Sequence, residues 1–281
     1  MSFIAILGAG ALGGALAHKL VCRNRTRDVR LIDVEGRIAQ GKALDILQSS
    51  PIEGFSTRVS GADTLEAAAG ASVIVIADSA SGDAEYTGEP GLAMVRRLTA
   101  LEAAAPLVFA GASQRQLMTR TVSELHVLPR RVIGSAPGGL ESAVRALTAL
   151  ECDGSGVDVQ VRVVGVPPHA AVIAWEEATA CGQPVSAVVA PHRLAAISAR
   201  VPSLWPPGPL ALASAAARIA EAVVNGSRRR FTCFVLMEGP PNRGAVAAMP
   251  ARLGEQGIER VVQPTLTRRE QTRLENGLSL S

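Results

Sequence analysis

A glycine-rich turn between an apolar run and a helical pattern constrains this chain more than any other feature. Phe3 to Leu7 is a short apolar run, typical of a buried parallel strand. The turn Gly8-Ala9-Gly10-Ala11-Leu12-Gly13 follows at once and leads into leucines at helical spacing. Asp33 ends a second strand-like run, 20 residues after Gly13. A strand, a G-x-G-x-x-G turn, a helix and a later acid form the complete fingerprint of a dinucleotide site.

Each part of this turn has a physical purpose. Gly8 permits the tight turn, Gly10 lets the backbone approach a pyrophosphate, and Gly13 lets the helix pack closely on the sheet. The helix N-terminus, with Ala11 and Leu12 in its first turn, offers free N–H groups and a partial positive charge to phosphates. These residues are therefore predicted to bind the cofactor, although a Rossmann fold with a different or lost ligand is the alternative.

The other predicted cofactor contacts lie where strands end. Asp33 is expected to accept hydrogen bonds from the adenine ribose hydroxyls, and its charge should repel the extra phosphate of NADP. Ala77 and Ser113 follow the strand-like runs Val73 to Ile76 and Leu107 to Ala110. Ligands of such sheets bind at the carboxyl ends of the strands. The sequence therefore predicts NAD as the cofactor.

Strand-like and helical segments alternate as far as Gly138, after which strands cluster among helices. The chain has 281 residues, near the length at which chains divide into two domains. We predict an α/β fold, with a Rossmann-type doubly wound parallel sheet in residues 1–138 and an α+β substrate-type domain in residues 139–281. Because aromatic residues make up only 3% of the chain, the core must be built from smaller aliphatic side chains.

Further elements are predicted in the second half. The period-2 pattern of Val157 to Val164 indicates a strand that pairs with Val172 to Trp175. A helix is expected from Leu210 to Val224, ending at an Asn-Gly signal. Thr267, followed by Glu270, forms a capping box for a final helix.

Composition excludes several classes of function. The net charge is only +3 and the basic residues are scattered, apart from Arg228-Arg229-Arg230. That triplet could contact a phosphate, but its pattern favours a solvated turn after a helix. We therefore expect no nucleic-acid partner, and no apolar run approaches the ~20 residues of a membrane helix. The four cysteines have no CxxC spacing or nearby histidines, so neither a metal site nor a disulfide framework is predicted. Reduced thiols favour a cytoplasmic protein.

Later motifs resemble the lactate/malate dehydrogenase family, with a pattern closest to the malate dehydrogenases. Leu140-Glu141-Ser142-Ala143 is similar to the family's L-D-S-A motif. The segments that resemble the family's other motifs are 42–47, 129–134, 237–239, 253–260 and 266–267. The resemblance covers nearly the whole chain. It implies an NAD-dependent oxidoreductase that transfers a hydride to or from a 2-hydroxy or 2-oxo acid. Helix 42–47 resembles one that pairs subunits, which implies a homodimer or homotetramer.

The residues that the family's chemistry needs are changed in this chain. Ungapped alignment places Pro167 at the catalytic histidine and Glu141 at the aspartate that holds it. Val144 takes the place of the arginine that grips the substrate carboxylate. The mobile-loop segment, about Ser79 to Glu89, has no arginine and offers acids instead. The family's asparagine aligns best with Ser113. An acidic loop would repel a 2-oxo acid substrate.

Two hypotheses follow from these changes. A shift of two residues would let His169 replace the histidine, with Glu141 orienting it and Arg145 approaching an anionic substrate. These three residues are the predicted catalytic set of an enzyme with substituted residues. The other hypothesis is a catalytically inactive NAD-binding or assembly protein on the same scaffold. A hydrogen bond from His169 to Glu141 would favour the enzyme, and a solvent-facing His169 the inactive protein.

Overall fold

A computed structural model gives the structure of residues 2–239 and 243–279. The helices are α1 (Ala11–Arg23), α2 (Gly36–Glu53), α3 (Gly88–Leu101), α4 (Arg115–Ser123), α5 (Ala136–Glu151), α6 (Val185–Val188), α7 (Pro191–Arg200), α8 (Pro209–Asn225) and α9 (Arg268–Ser279). Within these ranges, no helix combines the length and the apolar character needed to cross a membrane.

The strands of the first half are β1 (Ile4–Leu7), β2 (Asp28–Ile32), β3 (Arg58–Ala62), β4 (Val73–Ile76), β5 (Leu107–Phe109) and β6 (Val132–Gly134). Those of the second half are β7 (Val159–Gln160), β8 (Val163–Val166), β9 (Ala170–Ile173), β10 (Thr179–Ala180), β11 (Gln183–Pro184), β12 (Arg230–Leu236), β13 (Val246–Gly254) and β14 (Gly257–Val261).

The first six strands form a parallel sheet in the order β3-β2-β1-β4-β5-β6. Leu7 at the end of β1 lies opposite Ile32 of β2 and Ile76 of β4, so three strand ends meet at one edge. Strand order reverses between β1 and β4, which is where such sheets bind ligands. The predicted doubly wound α/β sheet is therefore confirmed.

The sheet continues into the second half through β12, β13, β8 and β9, and β14 pairs with β13. These pairings are antiparallel, and β12 joins β6 opposite Gly134. The antiparallel pairings fit the predicted α+β character of this half. The predicted boundary between residues 138 and 139 falls inside α5, and the division at that point stays a prediction.

One predicted strand differs from the structure, and one observed strand was not predicted. The single strand predicted over Val157 to Val164 is divided, because β7 pairs with β10 in a separate three-stranded sheet and β8 pairs with β9 and β13. Strand β3 was not predicted, since it is short and exposed on alternate residues at the sheet edge. The predicted capping box of α9 is confirmed: Thr267 N donates to Glu270 Oε2 at 2.8 Å, and Glu270 N to Thr267 Oγ1 at 3.2 Å.

The core consists of two aliphatic clusters. The larger one joins both halves of the chain and includes all of β1 and β4. The smaller one lies in the second half around Leu140, Val144 and Val161. Trp205 contacts both clusters, and its ring meets Phe234 edge-on at 5.9 Å between centroids. Helix α8 packs across α1, which ties the second half to the glycine-rich turn.

Two glycines of this region provide a matched test of packing. A Cβ on Gly61 of β3 would overlap the backbone of Ala39 and Gln40 in α2. Gly41 is exposed on α2, and a Cβ added there would have no heavy atom within 4 Å. We expect Gly61→Ala to lower the free energy of unfolding by about 1–3 kcal/mol. Gly41→Ala should raise it by about 0.5–1 kcal/mol, because alanine favours the helix. Urea unfolding measures both, and a neutral Gly61→Ala would contradict the close packing of α2 on β3.

Candidate active site

The glycine-rich turn lies at the carboxyl edge of the sheet, as predicted. Gly8 has a φ of +102°, and a Cβ there would overlap the backbone of Asp78, which follows β4. Gly10 N donates to the carbonyl of Asp78 at 3.0 Å. A Cβ on Gly13 would overlap the Gly8 carbonyl, so close packing of α1 requires glycine there. The turn therefore adopts the conformation that the fingerprint predicts.

Asp33 joins this turn to the segment that follows β4. Its side chain is buried, with 2% of its surface exposed. Oδ2 accepts hydrogen bonds from Ala9 N and Ala80 N, both at 2.8 Å, and Oδ1 accepts one from Glu35 N at 2.9 Å. The predicted ribose-binding acid thus lies in the crevice, with both oxygens bonded to the backbone of the chain.

The first N–H groups of α1 have carboxylate partners from the same chain. Leu12 N donates to Asp78 Oδ2 at 2.9 Å, and Gly13 N donates to Asp78 Oδ1 at 2.8 Å. Ala11 N donates to Asp83 Oδ1 at 2.7 Å. Sequence reasoning assigned these N–H groups to the phosphates of the cofactor and did not single out Asp78. Its signal is an acid directly after an apolar strand that faces the turn.

A third acid lies at the neighbouring strand end. Glu85 accepts hydrogen bonds from Ala112 N at 2.8 Å and from Ser113 N at 2.7 Å, and a Cβ on Gly111 would overlap its carboxyl group. Burial, reinforced by the charges of Asp33 and Asp78, raises the pKa of the nearby Tyr86 phenol to about 12. The crevice thus has a markedly negative environment.

The two predicted cofactor contacts at strand ends, Ala77 and Ser113, differ from each other in burial and in partners. Ala77 is buried beside the turn: its N–H donates to the Leu7 carbonyl at 2.8 Å, and its carbonyl accepts from the Gln114 amide at 3.1 Å. Ser113 is exposed, with its N–H on Glu85. Ala77 is therefore held by the backbone ladder, while Ser113 borders the acidic group.

Glu141 lies on α5 and is buried. Its Oε1 accepts from Arg162 Nη1 at 2.9 Å, and its Oε2 accepts from the Thr232 hydroxyl. Burial raises the pKa of Glu141, and the Arg162 guanidinium opposes that rise. Arg162 and Thr232 were not predicted, because they are 21 and 91 residues away in sequence. Glu141 is bonded to these two groups, and no hydrogen bond joins it to His169.

Neither of the other two predicted catalytic residues is hydrogen-bonded to the Glu141 carboxylate, although Arg145 lies one helical turn away on α5 and lines the same cavity. His169 is exposed, and no hydrogen bond of its imidazole is found in the described chain. Arg145 donates to the carbonyls of residues 159, 156 and 157, at 2.7, 2.9 and 3.3 Å. Pro167 and Val144, which the motif alignment predicts at the family positions of the histidine and the gripping arginine, are both buried. The structure therefore does not bring His169, Glu141 and Arg145 together as a hydrogen-bonded set.

Known proteins share both sequence and fold with this chain. Residues 3–88 match the family model of the lactate/malate dehydrogenase NAD binding domain. A malate dehydrogenase of Thermomicrobium roseum is 30% identical over 294 residues, covering 96% of this chain and 93% of the relative. One from Roseiflexus sp. is 29% identical, covering 95% and 92%.

Solved structures extend the likeness to the whole fold. A Cryptosporidium parvum lactate dehydrogenase, in complex with lactic acid and nicotinamide adenine dinucleotide, has a TM-score of 0.88 at 22% identity and covers 99% of this chain and 95% of its own. Salinibacter ruber malate dehydrogenase has a TM-score of 0.86 at 24% identity and covers 99% and 94%.

The ion pair at Glu141 should control how stability depends on pH. Arg162→Met leaves a buried carboxyl whose folded pKa is raised further above its ordinary 4.5. A raised carboxyl pKa means that stability is highest at low pH and is lost as pH rises through the folded pKa. We expect Arg162→Met to cost about 1–3 kcal/mol at pH 8, since Arg162 is partly solvated, and less at pH 5.

Urea unfolding at the two pH values measures this effect, with Arg162→Lys as the control that keeps a cation beside Glu141. An equal loss of stability at pH 5 and pH 8 would show that Arg162 contributes packing and not charge.

Proposed function

This chain belongs to the lactate/malate dehydrogenase family, and from that membership we propose that it is an NAD-binding protein that does not turn over malate or lactate. One observation carries the proposal. Glu141 is hydrogen-bonded to Arg162 and Thr232, while His169 is exposed and is not hydrogen-bonded to Glu141. The acid–base pair that the chemistry requires is therefore not assembled.

NAD is the cofactor of this family domain, and the match over residues 3–88 confirms that prediction. When bound, NAD supplies a hydride acceptor at its nicotinamide ring. The glycine turn, the start of α1 and Asp33 are of the type that holds a dinucleotide. The first N–H groups of α1 already donate to the carboxylates of Asp78 and Asp83, so a pyrophosphate does not fit on the same groups.

The substrate end supports the same conclusion. Val144 belongs to the smaller apolar cluster, so no guanidinium stands at the family's carboxylate-gripping position. Arg145, one residue on, bonds to backbone carbonyls instead. A positioned acid or base contributes about 10²–10⁴ in rate, and one charge-stabilising donor about 10²–10³. Losing both kinds of group would bring a typical rate of about 10 s⁻¹ close to background.

The competing hypothesis is an active oxidoreductase that transfers a hydride to or from a 2-hydroxy or 2-oxo acid through substituted residues. It would require His169 to leave solvent and bond to Glu141, which would have to release Arg162 or Thr232. If Arg162 were the group released, the buried carboxylate would lose its close cation. The present contacts favour the inactive protein.

Assembly and location remain proposals. Helix α2 exposes Ile38, Leu44 and Leu47, which agrees with a subunit-pairing helix of a homodimer or homotetramer. The four cysteines are free thiols, which favours a cytoplasmic protein. A small-molecule ligand fits a protein of this family better than a nucleic acid or a membrane.

The decisive assay measures NADH oxidation with excess oxaloacetate and, separately, pyruvate. NADH fluorescence establishes that the protein holds NADH under the same conditions. We expect turnover at least about 10²-fold below a typical 10 s⁻¹, because the acid–base pair and the gripping arginine are missing. His169→Ala should leave any residual rate unchanged, like the exposed control His192→Ala.

Turnover of about 1 s⁻¹ or more would overturn the proposal. If His169→Ala then abolished that rate and His192→Ala did not, the rebuilt dyad of His169 and Glu141 would be established instead.

A further inference from the structure

The cofactor crevice contains carboxylates of the chain itself on the N–H groups that a dinucleotide would use. We infer that Asp78, assisted by Asp83 and Glu85, competes with the NAD pyrophosphate and sets the affinity for the cofactor. The chain then binds NAD far more weakly than its glycine-rich turn alone would allow. The inference rests on the proposed NAD binding, but its test measures binding and not turnover.

Asp78 imitates a phosphate at the start of α1. Its two oxygens bond to consecutive N–H groups, those of Leu12 and Gly13, at 2.9 and 2.8 Å. A Cβ on Gly10 would lie 2.5 Å from Asp78 Cγ, so this carboxyl group fills the space that a glycine leaves free. Phosphates use the same donors and the same helix dipole. The carboxylate and the pyrophosphate therefore cannot both bind there.

The segment after β4 is held in this position by contacts along its length. Ser79 N donates to the Ala84 carbonyl at 2.8 Å, and Ala80 N donates to Asp33 at 2.8 Å. Asp83 bonds to Ala11 N, and Glu85 bonds to Ala112 N and Ser113 N. Displacing Asp78 alone leaves the other acids in the crevice, where they repel the negative charges of the pyrophosphate.

The test is a fluorescence titration with NADH of the wild type, Asp78→Ala and Asp83→Ala. Glu255→Ala, which removes an exposed acid between β13 and β14, is the control. We expect Asp78→Ala to lower the Kd for NADH at least about 10-fold, or about 1.4 kcal/mol. Asp83→Ala should lower it less, since Asp83 bonds to a single N–H, and Glu255→Ala should not change it. Asp78→Asn keeps the side-chain size and should give an intermediate gain.

Circular dichroism confirms that each variant is folded. Equal NADH affinity in the wild type and in folded Asp78→Ala and Asp78→Asn would overturn the inference while leaving the proposed NAD binding intact. No NADH binding in any variant would overturn both, because another feature would then close the crevice.

A separate observation concerns a basic cavity of about 1030 Å³ between α1, α5, α8 and β12. Its basic lining residues are Lys19, Arg23, Arg145, Arg162, Arg218, Arg228, Arg229 and Arg230. Its acidic lining residues are Glu141 and Glu177. We propose that this cavity binds a small polyanion that carries phosphate groups.

Three of the cations already have partners. Arg23 pairs with Glu221 at 2.6 Å, Arg162 pairs with Glu141, and Arg145 bonds to backbone carbonyls. For the side chains of Lys19, Arg218 and Arg228–Arg230, no hydrogen bond or ion pair is found in the described part of the chain. These five groups are available to an incoming anion.

The crowding of like charges is visible at Arg218. Burial, together with the charges of Arg23, Arg145 and Arg229, lowers the pKa of this guanidinium. A phosphate would relieve the repulsion and accept bidentate hydrogen bonds from guanidinium groups. Phe231 is the one aromatic residue among the described lining residues, so the cavity lacks the stacking platforms that bind successive bases of a nucleic acid. The arginine triplet, predicted as a solvated turn, lies at this cavity.

Isothermal titration calorimetry with inorganic pyrophosphate at low ionic strength tests this proposal. We expect binding to the wild type and an at least 10-fold weaker Kd in the double variant Arg218→Ala/Arg229→Ala. Arg96→Ala/Arg97→Ala, which removes two exposed arginines from α3, should bind as the wild type does. Absence of binding to the wild type, or equal binding to both double variants, would overturn the proposal.

Sedimentation of the same proteins separates the alternative occupant, an acidic segment of a second copy. If Arg218→Ala/Arg229→Ala changed the oligomeric state and left pyrophosphate binding unchanged, the cavity would be an interface between copies and the proposal would fail.

Discussion

The structure of the first half depends on how the N–H groups at the start of α1 are satisfied. Gly10, the residue before the helix, has no side chain to cap them. A donor left buried without a partner would cost about 1–3 kcal/mol, so another group must accept. The pairing of β1 with β4 carries Asp78 to this point, two residues beyond Ile76. The register of β1 against β4 therefore determines which group accepts these hydrogen bonds in the cofactor crevice.

This constraint explains how the fold can keep the glycine-rich turn while a carboxylate, and not a phosphate, accepts its hydrogen bonds. The same N–H groups can donate hydrogen bonds to a phosphate or to a carboxylate, because both are anions that bind at a helix N-terminus. Asp33 remains in its predicted place, yet it bonds to Ala9 and Ala80 and so holds the segment that contains Asp78. The fingerprint thus specifies the shape of the crevice, while one acid after β4 governs its occupancy.

The sequence predicted what local pattern controls. Strands β1 and β4 are continuous apolar runs, and the capping box of α9 involves residues three positions apart, so both were predicted. The contacts of Asp78 and of Glu141 were not. Asp78 meets Gly13 across 65 residues, and Glu141 meets Thr232 across 91. Such partners are set by sheet order and by the packing of α5 on β12, which no short-range pattern reports.

The surroundings of Val144 and Glu141 show that the proposed loss of turnover does not depend on a single residue. Val144, which the motif alignment predicts at the family position of a guanidinium, is part of the smaller apolar cluster, with none of its surface exposed. A charge returned to such a position would be buried without a partner, at a large desolvation cost. Glu141 forms its ion pair with Arg162. Recovering the family's chemistry would require repacking this cluster as well as supplying a histidine, because the charge and the core are now coupled.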